Sequence, residues 1–84
     1  MDIKINSQEE LLKLVKPALR TKRHELMRAG IKIVRESDIW NYNIKKWKND
    51  SGLTIADLVN DILNTSNKEY ENYVLNKLKM NRDE

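Results

Sequence analysis

A catalytic site needs a nucleophile with its base, or a set of convergent ligands, and this 84-residue chain offers few residue types for either. It has no cysteine, which removes thiol nucleophiles, disulfides and thiolate metal sites together. His24 is its one histidine. Neither Glu25 beside it nor Glu36 forms with it a spacing that metal or nucleophilic chemistry uses, so His24 reads as a surface or boundary residue. The two glycines, Gly30 and Gly52, belong to no phosphate-cradling loop, and a nucleotide cofactor is not indicated. Glu9-Glu10 and Asp57 with Asp61 have the spacings of helix capping and of a solvated helix face. The expectation is a non-enzyme with no cofactor and no metal site.

The basic residues are arranged more suggestively. Lys13, Lys16, Arg20 and Arg23 recur at spacings of three and four, which places them along one stripe of a helix. Lys45, Lys46 and Lys48 cluster around Trp47. The net charge of +3 conceals segregation: residues 1–48 carry 12 Lys/Arg against 6 Asp/Glu, and residues 49–84 carry 4 against 7. Such segregation is the ordinary dress of a solvated surface, and it is also what a phosphate-binding face requires. These seven cations are the candidate RNA contacts, because neutralising phosphates gives sequence-independent affinity and nearby aromatic rings can stack on unpaired bases. Trp40 and Trp47 fall on an apolar stripe, which favours core packing over base stacking. The chain lacks the signatures of an RNA-recognition sheet or a KH module. Read instead as anchors for a protein partner, the candidates are Trp40, Tyr42, Trp47 and Tyr70.

The elements that must position these residues are helices. Ser7-Gln8-Glu9-Glu10 has the form of a capping box, and Leu12, Val15, Leu19 and Leu26, with the aliphatic stem of Lys22, make a core-facing stripe behind it. Pro17 should kink or break this helix, or open a second one, and Gly30 should stop it, with Ile31 covering the end. Residues 31–35 read as an extended connector. A helix follows from about Arg35 or Ser37, carrying Ile39, Trp40, Ile44 and Trp47 inward. Asn49-Asp50-Ser51-Gly52 is a loop, and Thr54 with Asp57 forms a shortened capping box. The next helix has the cleanest amphipathic pattern, Ile55, Leu58, Val59, Ile62 and Leu63. Ser66 with Glu69 caps a last helix whose stripe is Tyr70, Tyr73, Val74, Lys77 and Leu78.

The fold class expected is all-α, a small compact bundle of four to five short helices. One domain spans residues 7–79, between a flexible tail at 1–6 and a frayed end at 80–84. So short a chain without disulfides depends on well-patterned packing or on a partner chain, which leaves a homodimer open. No secretion signal or membrane-spanning run is present in the sequence, so no membrane insertion and a cytoplasmic location are expected.

Glu36-Ser37-Asp38-Ile39-Trp40-Asn41-Tyr42, followed by Lys45-Lys46-Trp47-Lys48 and Leu58-Val59-Asn60-Asp61-Ile62-Leu63, resembles the ComN-type post-transcriptional regulators of Gram-positive bacteria. Lys16-Pro17-Ala18-Leu19 with Lys22, Gly30, and Tyr70-Glu71-Asn72-Tyr73 extend the likeness over about residues 13–74. Arg35 departs from it, since the family tends to place a helix-capping threonine there, and Ser37 or Glu36 would have to cap instead. The resemblance implies control of gene expression after transcription, in DNA-uptake competence. It also implies association with the polar and septal scaffold protein DivIVA, and so a concentration at the septum and cell poles. Two functional expectations result: an adaptor that binds a protein partner, or a protein that binds mRNA directly.

Overall fold

The computed structural model describes residues 8–48 and 52–82. They form four helices and no strand: α1 (Gln8–Arg28), α2 (Glu36–Trp47), α3 (Ile55–Asn64) and α4 (Asn67–Arg82). The all-α expectation is met, although α1 is long at 21 residues. α1 packs on α2 and α3, and α2 also carries α3 and α4, in a body of 40 × 32 × 19 Å. The core takes Leu11, Val15, Leu19 and Leu26 from α1, Ile39 and Trp47 from α2, Leu58 and Ile62 from α3, and Tyr70 and Val74 from α4.

Of the kink, break or second start expected at Pro17, the break and the second start do not occur: α1 runs unbroken through it. Proline removes one backbone donor and crowds the preceding turn. Here Pro17 is exposed on the side away from the core, where water can satisfy the carbonyl left without a partner and a gentle outward bow is tolerated. At the other end Gly30 sits at φ +86°. The Ile31 N–H bonds to the Leu26 carbonyl at 2.9 Å and the Gly30 N–H to that of Met27 at 3.0 Å, the paired bonds of a Schellman stop. Ile31 packs half-buried against the core beyond it, as expected.

The start of α2 corrects the sequence reading. Neither Ser37 nor Glu36 caps it; the Asp38 carboxylate accepts from the Arg35 N–H at 2.9 Å, so the cap is supplied from inside the first turn. The face α2 turns inward is Ile39, Asn43, Ile44 and Trp47, with Trp40 at its edge. α3 begins as expected: Thr54 Oγ1 accepts from the Asp57 N–H at 3.2 Å, and Asp57 accepts from the Thr54 N–H at 3.0 Å. At α4 only half of the expected box forms. Ser66 Oγ accepts from the Glu69 N–H at 3.1 Å, while the Glu69 carboxylate turns to Tyr42. α4 continues to Arg82 rather than ending at 79, and Leu78, expected on its buried stripe, is 48% exposed. The expected tail at 1–6, the Ser7 cap, the Asn49-Asp50-Ser51 part of the loop and the last two residues lie outside the described residues.

Lys22 holds the bundle together in a way its stem alone did not announce. The side chain is buried on the core stripe of α1, and its ammonium reaches the Leu63 carbonyl at 3.2 Å and Glu25 at 3.0 Å. A cation thereby satisfies the last turn of α3, where unpaired carbonyls and the helix dipole both favour positive charge.

Candidate nucleic-acid interface

The four aromatic candidates divide by burial. Trp47 and Tyr70 have no exposed surface, so neither can anchor a partner from the folded state. Their work is internal. Trp47 Nε1 donates to Asp61 Oδ2 at 2.9 Å, which gives Asp61 a structural task beyond the solvated-face role its spacing suggested. Tyr70 Oη donates to the Ile62 carbonyl at 2.9 Å and accepts from Asn43 Nδ2 at 3.0 Å, and the same amide donates to the Ile39 carbonyl at 2.9 Å. Burial pushes the Tyr70 phenol above its ordinary pKa. Tyr42 is half-buried, edge-on to Tyr70 and Tyr73, and its hydroxyl donates to Glu69 at 2.8 Å; that bond, more than burial, raises its pKa.

Trp40, like Tyr42 and Tyr73, is left partly open by the fold, and it occupies a seam. On one side it meets Lys16, Leu12 and Leu19 of α1 in a cleft of about 210 Å³ that also includes Glu36 and Ser37. On the other it forms the wall of an open groove of about 550 Å³ between α2 and α4, with Ile44, Lys45, Lys48, Tyr73 and Lys77; Asn41 and Met80 complete the lining. No carboxylate is among the described residues lining this groove. The indole is braced edge-on against Trp47, ring centres 6.0 Å apart at 72°, and Trp47 is itself fixed by Asp61. Edge-to-face packing of this kind holds a ring at a defined angle.

Two of the groove's ammonium groups lie over the Tyr73 ring, Lys45 at 5.7 Å and Lys77 at 5.4 Å from its centre. A ring face positions a cation without cancelling its charge. Lys77 is also drawn to Asp38, at 3.5 Å. Asn41 and Lys77 are shared with a second groove of about 520 Å³ that adds Lys32 and Arg35, so one trough runs along the α2–α4 boundary.

The basic candidates are therefore regrouped. Lys13, Lys16 and Arg20 of α1 are exposed, and Arg23 is half-buried with its Nε lacking a hydrogen-bond partner among the described residues. Lys45 and Lys48, one turn apart, face the groove; Lys46 points away and lies 3.9 Å from Asp61 on α3. Lys16 is brought beside Trp40, joining the α1 stripe to the α2 cluster. Sequence reading missed Lys32, Arg35 and Lys77 as members of this surface. The available signal was Lys77, a lysine at the edge of an apolar stripe, where a long stem can pack and its charge emerge at the boundary.

His24 is exposed and lines a shallow hollow with Met27 and Arg28. Among the described residues no three of the His, Cys, Asp and Glu side chains gather where they could hold a metal, and no helix is long and apolar enough to cross a membrane. The chain matches no curated protein and no solved structure. The model of the post-transcriptional regulator family matches residues 8–81. This spans all but the last residue of the four helices and the whole trough, and the chain belongs to that family.

Proposed function

We propose that this post-transcriptional regulator acts without catalysis, by binding RNA directly on the cationic surface that meets at Trp40. The observation that carries the reading is the juxtaposition of Lys16 from α1 with Lys45, Lys48 and Lys77 around one half-exposed indole. Regulation of a message requires contact with it or with something that holds it, and a cationic trough with an aromatic wall suits the first. About four phosphates neutralised on a single strand give a log–log salt slope near −2.8, so raising salt fourfold weakens binding about 50-fold. A mobility-shift titration at two salt concentrations reads this directly. A slope near zero, or no shift at low salt, overturns the reading.

A second reading, the protein-binding adaptor, is favoured by a separate observation. Ile33 and Leu78 are 41% and 48% exposed and both line the second groove, so two apolar side chains are presented together there. On this reading the pair docks a protein, and DivIVA is the partner the family resemblance suggests. A titration with DivIVA that is weakly salt-dependent and abolished by Leu78→Asp supports it. Unchanged binding by that variant, or loss of a concentration-dependent dimer of the chain itself in its place, assigns the pair elsewhere.

A further inference from the structure

Resting on the RNA-binding reading, we infer that the ligand is single-stranded and that one unpaired base stacks on Trp40 in the α2–α4 groove, with its flanking phosphates on Lys16 and on Lys45 and Lys48. Three observations converge on this. The groove's volume of about 550 Å³ falls in the range that holds small ligands, about 300–1,000 Å³, and so has room for one nucleoside. Its wall is an indole held at a set angle by Trp47, which Asp61 fixes in turn, so the stacking surface is preorganised and little side-chain freedom is lost on binding. Lastly, cations flank the indole on both sides, Lys16 across the α1–α2 cleft and Lys45 and Lys48 along the groove.

The charge arrangement selects an anionic strand. Lys45 is held over Tyr73 by its ring face rather than by a carboxylate, so its charge remains available to a ligand. A duplex could use the cations but not the ring, because its bases are stacked on one another and their faces are closed. A single strand offers both features at once: a phosphate on either side of each base, and a base whose face is free. Trp40 is thus a binding residue, and Trp47 and Asp61 are positioning residues that act through it.

The full chain is titrated at low salt with four probes: a short oligouridylate, the same length as a duplex, an abasic strand of equal charge, and a poly-glutamate peptide. Oligouridylate quenches tryptophan emission, while the abasic strand binds more weakly and leaves emission unchanged. The quench disappears in Trp40→Phe, in which the buried Trp47 is the remaining emitter. Trp40→Ala weakens the oligouridylate about five- to 150-fold, the effect of removing one base–aromatic stack. Trp40→Phe, which keeps a ring, recovers part of that loss and guards against a fold defect in the alanine variant. Equal affinity for the abasic strand and oligouridylate overturns the stacking site yet leaves RNA binding standing. Tighter binding of the duplex overturns single-strand selection. Equal quenching by poly-glutamate assigns the groove to an acidic protein segment, and failure of every nucleic-acid probe to bind removes the RNA reading itself.

Discussion

Replacing Lys22 by methionine separates the two things this buried lysine does. Methionine keeps an unbranched stem on the α1 stripe and deletes the ammonium, which bonds the Leu63 carbonyl at 3.2 Å and Glu25 at 3.0 Å. Glu25 is 49% exposed, so its carboxylate returns to water at little cost. The Leu63 carbonyl is only part-buried, so losing its donor costs toward the low end of the about 1–3 kcal/mol for an acceptor left unsatisfied. The favourable field of a cation at the end of α3 adds about 0.3–1 kcal/mol. Against these stands the relief of returning a buried charge to water in the unfolded chain, which makes buried ion pairs weaker than their geometry suggests. The balance is a loss of about 1.5 kcal/mol, and for a domain of this length a melting temperature about 6–12 °C lower. Lys22→Ala loses about three buried methylenes as well, near 0.8 kcal/mol each, and falls further by about 2 kcal/mol. Urea unfolding followed by circular dichroism measures both. A Lys22→Met protein as stable as the parent would refute the assignment of the ammonium as the cap of α3, and alanine equal to methionine would refute the packing of the stem.

Other substitutions test the remaining parts of the frame. Asp61→Ala strands the buried Trp47 N–H and costs about 1–3 kcal/mol, whereas Lys46→Ala, which removes only an exposed ion pair to the same carboxylate, changes stability by less than about 0.5 kcal/mol; similar losses in the two would contradict the indole bond. Gly30→Ala destabilises by about 1–2 kcal/mol through its left-handed backbone alone, since a Cβ there meets nothing within 4 Å, and Gly30→Asn recovers part of that loss. Tyr70 predicts an alkaline limit. Its folded pKa lies above the ordinary 10.0, so above that pH the unfolded chain releases the phenol proton first and binds fewer protons than the folded one. Stability from this group is complete below the unfolded value and is lost as pH rises toward the folded value. Tyr70→Phe is less stable at neutral pH, having lost its bonds to Ile62 and Asn43, but declines less steeply in alkali; an unchanged alkaline slope, read by urea midpoints across pH, counts against the assignment.

What the sequence determined by itself was the set of features governed by near neighbours. The Thr54–Asp57 box, the Gly30 stop and the apolar period of α3 were legible because caps and helix faces depend on residues three or four apart. The α1 basic stripe was legible for the same reason. Local rules left a kink, a break and a new start all open at Pro17, because whether proline breaks a helix depends on which side of it faces water. They could not rank Trp40 and Trp47, which share one apolar stripe; α3 and its Asp61 enclose the second and leave the first at the edge. The apolar period of α2 gives no place to Asn43, whose buried amide is satisfied by the Ile39 carbonyl one turn back and by Tyr70, 27 residues away. The α2–α4 groove that gathers Lys45, Lys48 and Lys77, and the α1–α2 cleft that sets Lys16 on the other side of Trp40, exist solely through the packing of α1 and α4 on α2. Periodicity states which face of a helix is turned inward, but the residues that face each other across two helices are decided by how those helices pack.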